Sequence, residues 1–567
     1  MKNLFFKYLI HREDTGFMTL TERLRSLATL SIVGAMVGTL FLAASLSPSL
    51  LPRPTAGQGL LSGFAFAIGY GVGTALLAVW KMLQLPLAGP RLARVLTMLG
   101  GALSGVVAIA FLWQASTWQN AIHEIMGMEQ SAALRPAIIG PIAVLVFIAL
   151  LILARGFRHM FRFLARHLAV YVPRRISHLV SLVLSVIFFW AWINGILFSF
   201  LLNTADKSFQ QLDALIEDDL PFPSRVKPTL TAESLVSWDN LGRQGRRFVA
   251  SGPDSQDLEA FFGHPAQDPV RVYVGLNSAD TPDARAHLAL EELKRAGGFD
   301  RSVLVLATPT GTGWIDPAGQ DSLEYLFRGD VATVAVQYSY LNSPLALLTQ
   351  ATYGAEASRA VFREIYDHWR TLPKDKRPRL FLTGLSLGAL NSDLSFDLFD
   401  IIDDPFHGVL WVGPPFRTQS WLRMTQDRDP GSPAWLPKFR DGKVVRFMNQ
   451  TRGAEESYQA WGDFRIVILQ YASDPVTFFQ FSSAWRTPEW MMEPRGPDVT
   501  ADLRWFPIVT MLQLAVDMVM GTAPRGFGHE YAAVDYIDAW FALAEPEGWT
   551  EAELERLRRL FTYSKKI

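Results

Sequence analysis

The chain has 567 residues, 49% of them hydrophobic, with 53 basic and 54 acidic side chains and a formal net charge of -1. Such a length calls for about two to four domains, and the even charge offers no basic surplus for nucleic acid. There is no cysteine, which excludes disulfides, thiolate metal sites and a cysteine nucleophile but leaves the compartment open.

Up to about residue 205 the chain is poor in acids and rich in apolar runs. Five charge-free stretches, near 27–47, 58–80, 96–115, 136–154 and 179–202, each approach or exceed the ~20 residues that cross a hydrocarbon core. Glycines recur in them (Gly69, Gly71, Gly73; Gly100, Gly101, Gly105), as suits close helix–helix approach in lipid. Trp80, Trp113, Trp190 and Trp192 fall near their ends, where aromatic rings anchor to the interface. The first run is read as a retained helix rather than a cleaved signal, because its polar approach is long and no small-x-small site closes it.

Loop charges set the expected orientation. Lys81, Arg91 and Arg94 follow the second run, and Arg155, Arg158, Arg162, Arg166, Arg174 and Arg175 follow the fourth, with no acid among them. The other two connections hold only Arg53, and Arg135 with Glu124 and Glu129. The positive-inside rule then puts the N-terminus in the cytoplasm. Five crossings put everything after about residue 203 outside, on the periplasmic face of a bacterial inner membrane. The arginine loop also carries Phe157, Phe161, Phe163 and Tyr171. It is either a helix lying on anionic headgroups or simply the topology determinant.

Residues 1–203 are thus expected to form a transmembrane helical domain, 204–268 a connection with Pro221, Pro223 and Pro228, and 269–567 a catalytic domain. In the last, Val270–Val274, Ser302–Ala307, Val331–Gln337, Arg379–Thr383, His407–Val412 and Arg465–Gln470 read as strands. Helices are expected over Asp283–Ala296 and Ala355–Leu372. Apolar strands alternating with helices predict a mostly parallel sheet covered on both faces.

The strand ending at Thr383 runs into Gly384-Leu385-Ser386-Leu387-Gly388, and a helix-compatible stretch follows. Strand, sharp turn and helix are the context in which G-x-S-x-G exposes a nucleophilic serine, so Ser386 is the expected nucleophile. A hydroxyl needs a base. Only His407 and His529 follow Ser386. His407 opens a strand and so faces the wrong end of a parallel sheet. His529 lies in the glycine-rich loop Gly526-Phe527-Gly528-His529, which suits the base. Asp474, just past the strand ending at Gln470, is the expected acid. Asp403 and Asp404 precede a strand and are a fallback, and Asp463 is at the wrong end of its own. The oxyanion hole is assigned to the backbone N–H groups of Leu387, Thr310 and Gly311, the last two in the glycine loop after Ala307. Gly311-Thr312-Gly313 lacks the rest of a nucleotide fingerprint, and no metal cluster or cofactor site is expected.

Ser45-Leu46-Ser47-Pro48-Ser49-Leu50-Leu51-Pro52-Arg53 resembles a signature of a bacterial family of multi-span membrane α/β-hydrolases. Ser237–Arg246 (SWDNLGRQGR), the Gly384–Gly388 turn and Ser473-Asp474-Pro475 resemble it too. The resemblance covers nearly the whole chain. It implies a transmembrane helical bundle followed by an α/β-hydrolase domain, with a serine-hydrolase nucleophile at Ser386. It implies nothing about the substrate.

An insertion between Asp474 and His529 holds Trp485, Trp490, Met491, Met492, Trp505 and Phe506, then the apolar run Ile508–Met520; another, 415–440, holds Phe416, Trp421 and Trp435. Such caps cover the active site in this fold. Their aromatics either line an acyl-chain pocket or pack the cap itself. The expected partners are the lipid bilayer and a lipid or other acyl-ester substrate. An acyltransferase using the same acyl-enzyme is an alternative, and a non-catalytic membrane scaffold another. Thr550–Leu560, opening on a Thr550/Glu553 capping box, reads as a surface helix.

Overall fold

The computed structural model describes residues 30–130, 136–192, 195, 213, 231, 233–341, 351–454 and 459–563. Two compact units divide the chain. One comprises Met1–Leu46, Gln58–Ser116 and Arg135–Leu153; the other comprises Ser47–Gly57, Thr117–Leu134 and Ala154–Ile567.

Among the described residues, five apolar helices precede the sheet: α1 (Ile32–Leu46), α2 (Thr55–Met82), α3 (Pro90–Ile125), α4 (Pro136–Leu168) and α5 (Arg174–Trp190). Of these, α2, α3 and α4 are long and apolar enough to cross a membrane. Among the described residues the span count is therefore three where about five were expected. The 15 residues of α1 rise only ~22 Å. The fifth run begins in α5 and continues past Trp192 largely outside the described residues, as do Pro221, Pro223 and Pro228. Large apolar side chains point outward along α3 as far as Trp113 (Val106, Ile109 and Trp113 are 65–79% exposed), the pattern of a lipid-facing helix. Within the first unit α1 and α2 approach through glycine. A Cβ on Gly73 would lie 2.7 Å from Val33 O and 2.8 Å from Gly34 Cα. Gly71, Gly101 and Gly105 face open space, so only part of the glycine pattern serves packing. Arg155–Arg166 extend α4 as helix instead of forming a separate loop helix.

The second unit is built on a sheet of seven parallel strands: β1 (Val270–Val274), β2 (Val303–Thr308), β3 (Val331–Val336), β4 (Arg379–Leu385), β5 (Gly408–Val412), β6 (Val445–Met448) and β7 (Arg465–Leu469). Their order is β1-β3-β2-β4-β5-β7-β6, with every pairing parallel. Residues alternate between faces. Leu304, Leu306, Leu380 and Leu382 join one core with α6 (Pro282–Arg295) and α8 (Ala351–Thr371), through Leu290, Leu293, Ile365 and Trp369. Val303, Val305 and Phe381 join the other with α7 (Pro317–Leu326) and α11 (Ala533–Ala544), through Leu323, Tyr536, Ile537 and Trp540. Each fully buried aliphatic side chain of this kind contributes about 1.5–3 kcal/mol.

Helix starts are set by local chemistry. Thr281 Oγ1 accepts the Ala284 N–H ahead of α6, and Asp316 accepts the Ala318 N–H ahead of α7, each with proline at the first helical position. The capping box of α12 (Glu551–Tyr563) forms, with Thr550 N–H donating to Glu553 (2.9 Å) and Glu553 N–H to Thr550 Oγ1 (3.3 Å). The Ser237–Arg246 segment packs on β1, where a Cβ on Gly245 would meet the Tyr273 ring at 2.4 Å.

Candidate active site

An all-parallel sheet sends the C-terminal ends of its strands to one edge, where the turns after β2, β4, β5 and β7 meet. The turn after β4 is abrupt. β4 ends at Leu385 and α9 (Leu387–Asp393) begins two residues on, so Ser386 makes the reversal alone. Its φ of 57° and ψ of -122° lie where a residue with a side chain is strained by about 1–3 kcal/mol. Its N–H donates to Val412 O (2.9 Å), tying the turn to the end of β5. The flanking glycines leave no room for substitution. A Cβ on Gly384 would lie 2.3 Å from Gly388 C, and one on Gly388 would lie 2.2 Å from Thr308 O.

Asp474, past the end of β7, is fully buried. Its carboxylate accepts from Val476 N–H (2.8 Å), Thr477 Oγ1 (3.2 Å), Tyr531 Oη (2.7 Å) and His529 Nδ1 (2.7 Å). With Nδ1 donating to Asp474, Nε2 is the basic nitrogen, and among the described residues it has no hydrogen-bond partner, Ser386 Oγ included. The ring sits at the end of β5: a Cβ on Gly413, next to the Val412 that holds Ser386, would lie 2.8 Å from His529 Cε1. The structure thus brings Ser386, His529 and Asp474 to one edge. Burial disfavours the His529 imidazolium, but the charge and hydrogen bond of Asp474 outweigh it and leave the pKa above the ordinary imidazole value.

The other candidates separate cleanly. His407 lies at the opposite edge, where its Nδ1 accepts the Leu380 N–H (3.1 Å) and burial pushes its pKa down to about 4. Asp403 pairs with Arg370 and Asp404 with Arg377 (both 2.7 Å). Leu387 opens α9, so its N–H has no intrahelical carbonyl to reach. Thr310 is a correction. Its N–H donates to Trp314 O (3.0 Å) and its carbonyl accepts Gly313 N–H, so the backbone closes its own turn and the N–H assigned to the oxyanion is already used. Gly311 lies inside that turn. What the β2 loop does bring to the site is Thr308 O and Pro309 O, packed on Gly388.

Several supporting residues have no signal in the sequence. Tyr531 donates to Asp474 and stacks on Tyr471 (centroids 4.4 Å apart), which donates to Asp535. Ser473 Oγ donates to Asp498 (2.6 Å) and accepts Gly528 N–H (2.8 Å), fixing the residue before His529. Only the proximity of Tyr531 to His529 in sequence hints at its place. Replacing Tyr531 with Phe removes one charged hydrogen bond while the other donors to Asp474 stay. The expected loss in kcat/KM on a chromogenic acyl ester is about tenfold, without loss of fold in thermal unfolding.

A parallel sheet covered on both faces, with a strained serine turn after a central strand and an aspartate and histidine on later turns, defines an α/β-hydrolase fold. The chain belongs to the alpha/beta-hydrolase family: the model of that family matches residues 270–557, and the model of its N-terminus matches residues 46–253. No curated protein and no solved structure matches the chain. The family and the fold support a hydrolase-type function, and the apolar helices support a membrane protein.

Proposed function

We propose that the chain is a membrane-anchored serine hydrolase that cleaves the ester of a lipid or another apolar acyl compound. The observation that carries the reading is the Ser386 turn, whose strain the surrounding backbone holds, with His529 bonded to Asp474 at the same sheet edge. In the first half-reaction Ser386 Oγ attacks the acyl carbon while His529 Nε2 takes its proton. The oxyanion forms against the Leu387 N–H at the head of α9. His529 then protonates the leaving alcohol, and Ser386 keeps the acyl group. In the second half water gives a proton to His529, its oxygen attacks the acyl carbon, and the returning proton frees Ser386. Asp474 stays ionised throughout and stabilises the imidazolium.

The acyl class is supported by apolar surface beside the Asp474 turn. Phe416 N–H donates to Val476 O, and its ring packs on Phe479 (4.8 Å), which packs on the 61% exposed Phe481 (5.0 Å). Trp421, Trp435, Trp490 and Met491, by contrast, are buried and pack the cap itself.

The cationic connection Lys81–Arg94 between α2 and α3, with no acid in it, supports a cytoplasmic placement of that connection under the positive-inside rule.

The test is fluorophosphonate labelling of membranes carrying the wild type or Ser386→Ala. Labelling of the wild type alone is expected. No labelling of the wild type, or equal labelling of both, would sink the assignment.

A further inference from the structure

Gly528, the residue before His529, is held from two sides. Its N–H is fixed by Ser473, itself fixed by Asp498. Against its Cα lies Leu51, distant in sequence: a Cβ on Gly528 would be 2.8 Å from Leu51 Cδ2. Leu51 belongs to Ser47–Gly57, the connection between α1 and the body of α2, which groups with the catalytic sheet.

That segment is strapped to α10 (Val509–Met520) by groups that no catalytic step uses. Asp517 Oδ2 accepts the N–H groups of Leu50 (3.2 Å) and Leu51 (3.4 Å), and its Oδ1 accepts Arg53 Nε. The side chains of Arg53 and Asp517 are both fully buried. Gln513 Nε2 donates to Ser47 O (3.1 Å), Thr522 N–H to Pro52 O (3.2 Å), and Arg53 N–H to Gln119 Oε1 (3.1 Å). Removing one member of such a pair leaves an uncompensated charge indoors, so the pair fixes the strap in one place. Leu51 also fills the space over Gly521, where a Cβ would meet its Cδ1 at 2.7 Å. The strap thus bridges the end of α10 and the histidine loop.

We propose that the connection between the first two apolar helices is part of the catalytic apparatus, with Arg53 and Asp517 as positioning residues that seat Leu51 against Gly528 and so hold His529 on Asp474. The proposal rests on the Ser386–His529–Asp474 reading above. It gives a membrane-embedded chain a physical reason to keep its hydrolase domain and its helices in one polypeptide, because the domain lacks a wall of its histidine loop without the strap.

The experiment measures the rate of fluorophosphonate labelling of Ser386 against pH in full-length protein, per folded molecule, for the wild type, Asp517→Asn, Leu51→Ala and Arg53→Lys. Asp517→Asn and Leu51→Ala are expected to slow labelling about ten- to a hundredfold. They should also move the pH midpoint down, because a loosened His529 loses part of the field of Asp474. Arg53→Lys, which keeps the cation, should retain most of the rate. A strap that served stability alone would change the amount of folded protein but neither the rate per molecule nor the midpoint, and that result overturns the proposal. Should Asp517→Asn fail to fold, Leu51→Ala decides, since it leaves the ion pair and the backbone hydrogen bonds intact. A wild type that does not label overturns the serine-hydrolase reading together with this one. A labelled wild type with an unchanged Leu51→Ala overturns this one alone.

Discussion

Asp474→Asn is expected to lower kcat/KM by about four orders of magnitude while leaving the protein folded. The carboxylate is fully buried and accepts from His529, Tyr531, Thr477 and Val476. An amide can accept through one oxygen only, and its NH2 must then face a donor or the imidazole nitrogen. If it donates to Nδ1, the proton moves to Nε2, and the base is lost on the side where Ser386 needs it. The pH profile separates this effect from a loss of structure. His529 acts as a base only when neutral, so the rate rises with pH through its pKa. Burial lowers that pKa and the Asp474 charge raises it, with a net rise above the ordinary imidazole value of about 6.5. The wild-type rate should therefore reach half its maximum above about pH 6.5. In the amide variant the Asp474 charge is gone while burial and the smaller pull of Glu530 and Asp316 remain, so the residual rate should titrate at a lower pH than the wild type. Steady-state hydrolysis of a soluble acyl ester from about pH 5 to about pH 9 reads both. A residual rate that titrates where the wild type does would show that Asp474 does not set the state of His529.

Where the sheet is apolar, its sequence is sufficient to draw it. The alternation of Leu304 and Leu306 with Val303 and Val305 is the two-faced pattern of a covered strand, and the strands so read fall within a residue or two of their places. The elements that escape are those whose buried faces are polar. α7 buries Gln320, Asp321, Ser322 and Glu324, which reads as a surface loop. Its partner is remote: Arg271 on β1 points inward and binds Glu324 (2.6 Å) and Asp321 (2.7 Å). Likewise β6 is four residues long and carries a buried Arg446, whose guanidinium is met by the carbonyls of Gly442, Ala454 and Gln459. Periodicity cannot report a buried charge met by an acid some fifty positions away, as at Arg271, or by loop carbonyls, as at Arg446. The site divides in the same way. Ser386, Asp474 and His529 can be proposed from the sequence because the fold fixes their order along the chain and each follows a recognisable turn. Gly413, Asp498 and Leu51 are not, because each matters only through what the tertiary fold lays against it. Thr310 shows the converse hazard. A glycine-rich turn at the right place suggests free N–H groups, yet such a turn often closes on its own donors.

Gly388→Ala should abolish labelling of Ser386 and most of the folded protein, and Gly384→Ala should do the same. The added Cβ at Gly388 would stand 2.2 Å from Thr308 O and 3.2 Å from Pro309 O; at Gly384 it would stand 2.3 Å from Gly388 C and 2.4 Å from Gly388 O. These are backbone atoms, so no rotamer change relieves the contact. Thr308 is the last residue of β2 and pairs with Gly384 in the sheet. For Gly388→Ala, relief requires β2 and β4 to part or α9 to tilt, and either movement displaces Ser386. Overpacking in a well-filled interior costs about 1–3 kcal/mol even where side chains can yield. Here the cost should exceed that, on a turn already strained at Ser386. Gly462→Ala is the control. Among the described residues its Cβ would meet Lys443 O alone, at 3.5 Å, an ordinary contact, so fold and labelling should stay at wild-type levels. Thermal unfolding and probe labelling of the three variants side by side test the argument. A Gly388→Ala protein that folds and labels like the Gly462→Ala control would show that β2 and α9 are not packed as tightly as these distances require, and the strained geometry of the nucleophile would lose its physical basis.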